Sequence, residues 1–146
     1  MIEEITDADG RLRRADLLAQ AEAVHRELRP QLPADYAGKM ARVFAGGGRM
    51  AVASMDGAVL GVAVWRIVDN TADGLQLYCD DLVTTATRRS QGVGKALLAH
   101  MVGVGERAGC DHFALDSGTH RGAAHRFYFR EGFEIVAFNF GRALRR

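Results

Sequence analysis

The chain has 146 residues, 48% of them hydrophobic and 25% charged, ordinary values for a soluble globular fold and wrong for a disordered chain. Nineteen basic residues against eighteen acidic ones leave a formal net charge of +1, so no global field favours nucleic acid or an anionic membrane. Any anion site therefore has to be local. The length suits one domain over residues 1–146.

Cys79 and Cys110 are the two cysteines. Neither sits in a CxxC or Cys/His cluster, so both are expected as buried thiols in a reducing compartment, and no metal site is expected. The opening "MIEEITDADGRLRR" carries acids where a signal peptide needs basic residues. No apolar run approaches the ~18 residues of a membrane span, so the expected location is the cytoplasm.

In chain order, "IEEI" predicts at most a short strand. Asp9 or Asp16 is placed to cap a first helix, whose apolar positions Leu17, Ala21, Val24 and Leu28 recur at helical spacing until Pro30 and Pro33 stop it. A second helix starts near Asp35, with Tyr36, Met40, Val43 and Phe44 on one face and Gly46 to Gly48 at its end.

From Met50 the period changes. "MAVASM", the turn dipeptide Asp56-Gly57 and "AVLGVAVWRIV" predict an antiparallel hairpin; "NTADG" is a further turn, and "LQLYCDDLVT" a third strand. "RRSQGVG" opens a helix that carries Val93, Leu97, Met101, Val104 and Ala108 at helical spacing and ends at Gly109. "DHFALDSG" predicts a strand, "RGAAHRFYFRE" an amphipathic helix closed by Gly132, and "FEIVAFNF" a long final strand. This order predicts a single mixed α/β (α+β) domain. The final strand, with an edge to offer, is open to pairing across a homodimer.

Gly92 and Gly94 fall where a strand ends and a helix begins. Orphan amides and the positive end of the helix dipole meet there, and glycine lets a phosphate approach the backbone without a Cβ in the way. Arg89 and Lys95 add charge; Ser90 and Gln91 add donors. "GVGKA" lacks the first glycine and the hydroxyl of the nucleoside-triphosphate loop, and "GVGKAL" lacks the third glycine of the dinucleotide fingerprint.

The stretch "LVTTATRRSQGVGKALL", Leu82 to Leu98, resembles the central motif of the GNAT superfamily of acyl-CoA-dependent N-acetyltransferases, with Arg89, Gly92 and Gly94 at its fixed positions. "AAHRFYFREGFEI" is similar to the last motif of that family, matched by Tyr128, Gly132 and Phe133. The resemblance implies a central, mostly antiparallel twisted sheet of about six to seven strands flanked by about four helices, with a splayed strand pair. It implies acetyl-CoA as acyl donor and an amine as acceptor, with no nucleic-acid or membrane partner. The amides of Ser90, Gln91, Gly92, Val93, Gly94 and Lys95, with Arg89, would hold the diphosphate, and the backbone of Leu82, Val83 and Thr84 the pantetheine arm. The acceptor pocket would lie largely on the first two helices, where "ELRPQLPADYAGKM" offers a tyrosine, a lysine and an arginine.

Amine attack on a thioester needs a route for the proton, a donor for the oxyanion and help for the leaving thiolate. Asp81 and Asp80 are the nearest candidate bases, although strand alternation lets at most one face the cleft. The same carboxylates in a structural role would bind backbone donors or counter an arginine. His125 is another candidate base, or a surface or capping group. The Val83 amide is the candidate oxyanion donor. Tyr128 resembles the family's tyrosine that faces the thiol, and hydrogen-bond stabilisation of the thiolate fits a phenol better than full proton transfer. Two departures stand out: Arg121, Ser117, Thr119 and His120 occupy the region of the family's asparagine, and Thr85-Ala86 replaces its loop proline. A non-catalytic acyl-CoA-binding module and a general phospho-ligand binder are the alternatives.

Overall fold

In the computed structural model, which describes residues 1–89 and 91–145, Asp56 and Gly57 adopt φ of +52° and +78°. Positive φ at both central residues is the signature of the tight turn whose twist matches that of paired strands. It joins β2 (Arg49–Met55) to β3 (Ala58–Asn70), which pair antiparallel. The next turn is built by Asn70, whose Oδ1 accepts from the N–H of Ala72 and Asp73 at 3.1 and 2.7 Å, and it delivers β4 (Gly74–Thr84) antiparallel to β3. With β1 (Ile2–Glu4) on one edge and β5 (His112–Leu115) on the other, the described strands form one five-stranded sheet in the order β1-β2-β3-β4-β5.

The described residues also form four helices, α1 (Ala15–Leu28), α2 (Tyr36–Ala45), α3 (Val93–Arg107) and α4 (Gly122–Arg130). Asp35 caps α2 through a 2.9 Å bond from the Gly38 N–H. Neither Asp9 nor Asp16 caps α1: its N-cap is Arg14, whose guanidinium is held by Asp16 from the first turn.

The chain divides into two compact units, Met1–Ala114 and Leu115–Arg146. In the first, alternation along β2 and β3 explains why they read as continuous apolar runs. Met50, Val52, Val62 and Val64 join one buried cluster with Leu17, Leu18, Ala21 and Val24 of α1 and Tyr36, Met40 and Phe44 of α2. The intervening Ala51, Ala53, Ala63 and Trp65 are buried as well, on the face that receives α3. Full burial of side chains such as Met40, Leu97 and Met101 contributes roughly 1.5–3 kcal/mol each. Cys79 is buried, but Cys110 is only partly so, because it follows the helix end at Gly109 rather than lying in a strand.

The sheet has fewer strands than the six to seven expected. "FEIVAFNF" is one reason: residues 133–145 form neither helix nor strand. An apolar, β-prone run becomes a strand only when a neighbour supplies the ladder, and no described strand does so here. The segment on which the homodimer expectation rested is therefore not a strand. No described helix is long and apolar enough to cross a membrane.

Candidate functional site

Where β4 gives way to α3, Gly92 is the helix N-cap at φ +80° with no side chain capping the helix, and a Cβ placed on it would meet nothing within 4 Å. The conformation suits glycine, since an L side chain there costs roughly 1–2 kcal/mol. The first-turn N–H groups of Val93, Gly94 and Lys95 have no acceptor within the helix, and they carry the positive end of its dipole. Arg89, extended at φ −65° and ψ 152°, and Gln91 and Lys95 are exposed around this end. Ser90 lies outside the described residues.

Two contacts hold the junction in place. Thr85 Oγ1 and the Ala86 N–H donate to the two carboxylate oxygens of Glu27 on α1, at 2.8 and 2.9 Å. These are the residues that replace the family's loop proline. At Gly61 of β3, an added Cβ would stand 2.7 Å from Val93 Cγ1 and 2.9 Å from Leu97 Cδ1, so the absence of a side chain is what lets the start of α3 rest on the sheet.

The backbone of β4 corrects one assignment. Thr85 N–H donates to Leu60 O at 2.8 Å, and the register continues as Gly61 opposite Thr84, Val62 opposite Val83 and Ala63 opposite Leu82. Hydrogen-bonded and non-bonded pairs alternate in an antiparallel ladder, so Val83 directs its N–H and C=O into β3. The amides of Leu82 and Thr84, not that of Val83, point to the other edge of β4. On that edge Asp111 N–H meets Leu75 O at 2.6 Å, and β5 has four residues. A strand of that length covers about 13 Å at 3.3 Å per residue, whereas Leu82 lies about 23 Å along β4 from Leu75.

Just before Leu82 the ladder slips. Val64 is opposite Asp81 but Trp65 is opposite Cys79, which leaves Asp80 as the extra residue of a β-bulge. The slip overturns the alternation expected of Asp80 and Asp81: both carboxylates line one pocket with His25, Arg29, Lys39 and Arg66, over a floor that includes Met40 and Val64. Asp80 receives Arg66 Nε at 3.0 Å and Nη2 at 2.5 Å. Arg29 Nε donates to Asp81 Oδ1 at 2.7 Å.

His25 is the residue that sequence reasoning missed. Its Nε2 lies 2.7 Å from Asp81 Oδ2 and its Nδ1 2.8 Å from the Tyr36 hydroxyl, with 1% of the residue exposed. The available signal was a histidine between Val24 and Leu28, on the buried stripe of α1. Burial opposes the charge on Asp81, but the hydrogen bonds and charges of His25 and Arg29 outweigh it and hold the carboxyl below its ordinary range. Burial pushes the Cys79 thiol up to about 12, which disfavours its thiolate at neutral pH.

In the second unit, Tyr128 lies on α4 with its ring edge-on to Phe127 and Phe133 at 5.4 and 5.8 Å between centroids. Phe133 N–H donates to Tyr128 O at 3.0 Å after Gly132 turns the chain at φ +89°. His125 Nε2 is bonded to Gly118 O at 2.8 Å, a loop-fastening contact. Ser117 Oγ is buried with no hydrogen-bond partner among the described residues.

Comparison with known proteins places these features in a family. Over 68 residues the chain is 44% identical to the uncharacterized N-acetyltransferase YhdJ of Bacillus subtilis (strain 168), a match spanning 46% of this chain and 48% of that one. It is 38% identical over 64 residues to the aminoalkylphosphonate N-acetyltransferase of Salmonella typhimurium, spanning 44% of this chain and 42% of that one. The matched regions thus span about half the length of these relatives or less. The fold is similar to that of the aminoglycoside N-acetyltransferase AAC(6')-Iy in complex with CoA, with a TM-score of 0.82 at 20% identity over 99% of this chain and 94% of that one. Residues 15–133, most of the sequence, match the acetyltransferase (GNAT) family, and the chain belongs to that family.

Proposed function

We propose that the protein is an N-acetyltransferase that moves an acetyl group from acetyl-CoA to a primary amine within one ternary complex. The observation that carries this reading is the junction of β4 and α3. A left-handed Gly92 with open space before it leads into a helix whose first-turn amides have no acceptor within the helix, next to the edge of Leu82 and Thr84 that faces away from β3. Amides suit a diphosphate, and a free strand edge suits the amide-bearing pantetheine arm. The family match runs through both units, which supports reading residues 1–146 as one acetyltransferase domain.

Acetyl-CoA, when bound, supplies the activated acyl carbon. The amine nitrogen forms a bond to that carbon, the C–S bond breaks, and the amine's proton leaves to solvent or to a base. The outward N–H of Leu82 or Thr84 is a fixed donor for the developing charge on the carbonyl oxygen. Asp81, held ionised by His25 and Arg29, is a weak acceptor for an ammonium proton, and its geometry suits orienting His25. Tyr128 is assigned to the leaving thiolate on the strength of its motif.

Calorimetric titration with acetyl-CoA and with ATP, followed by amine-dependent thiol release, tests the reading. Micromolar acetyl-CoA binding, no ATP binding and turnover with an amine are expected. Tyr128→Phe should then keep the affinity and lose about 10- to 100-fold in kcat, the value of one hydrogen bond to a charged group. Binding without turnover for any amine would point to an acyl-CoA-binding module, and equal binding of ATP to a general anion loop.

A further inference from the structure

The pocket beneath the β4 bulge has a charge imbalance that its own residues do not resolve. Three cations, Arg29, Lys39 and Arg66, line it against two carboxylates, Asp80 and Asp81. Both carboxylates are already engaged, Asp80 by Arg66 and Asp81 by Arg29 and His25. The remaining cation is Lys39, which is half-buried and whose ammonium makes no hydrogen bond or ion pair with any described residue. Arg29 adds a donor edge rather than a further unbalanced charge. Its Nε and Nη2 are spent on Asp81 Oδ1 and Asp80 O, while its Nη1 has no acceptor among the described residues.

Desolvating an ammonium without a counter-charge is costly, so a half-buried lysine that lines the same pocket as a free guanidinium edge favours an anion. The cavity is small, about 200 Å³, roughly seven water volumes at ~30 Å³ each, which suits a molecule of few heavy atoms. Asp80 and Asp81, on the same lining, directly precede Leu82 on β4, which sets the pocket beside the backbone proposed to receive the thioester.

We infer that the amine acceptor is a small zwitterion, a primary amine whose carboxylate or other oxyanion is held by Lys39 and the free edge of Arg29. The inference rests on the acetyltransferase reading for the amine's fate, but the anion site stands on the pocket itself. An alkylamine of the same length without the anionic group leaves Lys39 unpaired. A polycationic acceptor adds like charge to a site already cationic and is disfavoured.

The test uses the full chain with three probes: β-alanine, propylamine and spermidine. Binding is read by calorimetry in the presence of CoA, and turnover by thiol release from acetyl-CoA. β-Alanine is expected to bind, and to turn over with a kcat/KM at least tenfold above that of propylamine, with spermidine last. Lys39→Met should bring the β-alanine to propylamine ratio close to one, and Lys39→Glu should invert the order in favour of spermidine, a gain that misfolding does not produce. Turnover without preference for the anion, or a preference that survives Lys39→Met, overturns the zwitterion inference and leaves the transferase standing. Lys39-dependent β-alanine binding with no turnover of any amine upholds the anion site and removes the transferase. No binding of β-alanine overturns the inference.

Discussion

His25 and Asp81, 56 residues apart in sequence, meet at 2.7 Å between Nε2 and Oδ2, and the other nitrogen of the same buried imidazole meets the Tyr36 hydroxyl at 2.8 Å. Two helices and the bulged strand are thereby tied together by a chain of polar groups inside an apolar core. Removing one partner strands the others, which makes the contact measurable.

Asp81→Asn should destabilise the fold by about 1.5–3 kcal/mol in urea unfolding at neutral pH, the range for hydrogen bonds to a charged group. The pH dependence has a fixed sign. Because the native carboxyl titrates below its ordinary 3.8, the stability it supplies is present above that value and is lost as pH falls through the native one. The gap between wild type and Asp81→Asn should close below about pH 3.8, and a gap constant with pH would show that Asp81 is not held ionised by its partners.

Gly92→Val should weaken acetyl-CoA binding about tenfold or more in calorimetric titration, and Gly94→Val should do likewise. At Gly92 the new Cβ fills the open space before the α3 amides and forces a β-branched residue to φ +80°. Arg89→Ala should cost less than either change if main-chain donors dominate. Unchanged affinity in the glycine variants would remove the phosphate-cradle assignment.

Glu27→Gln separates the loop from the fold. Its contacts to Thr85 and Ala86 are on the surface, so the stability loss should stay under about 1 kcal/mol. Acetyl-CoA affinity should nonetheless fall three- to tenfold as the β4–α3 connection loosens. Equal affinity would show that the loop holds its shape without α1.

Gly61→Val places a side chain where Val93 and Leu97 already stand and should cost about 1–3 kcal/mol in thermal or urea unfolding. The start of α3 must lift from β3, so acetyl-CoA affinity should drop in the same variant. A stable protein with wild-type affinity would refute the close approach of helix and sheet.

Much of this protein is written in short-range pattern. Asp35 ahead of an apolar helical face, Asp56-Gly57 between alternating runs and Gly-x-Gly at a helix start each announce their structure, because a cap, a tight turn and a left-handed residue depend on a few neighbouring residues. Three features were invisible for the opposite reason. The partner of His25 lies in another element; the bulge that turns both Asp80 and Asp81 to one face is a property of two paired strands; and the direction of the Val83 amide depends on which pairs in that ladder are bonded. The final apolar run had the composition of a strand without a described ladder to join. Local chemistry alone determined where the chain turns, which helices form and where a left-handed glycine opens α3. Which polar groups face one another, and hence the surplus positive charge at Lys39, was decided only by the tertiary structure, since pairing free energy belongs to two segments at once.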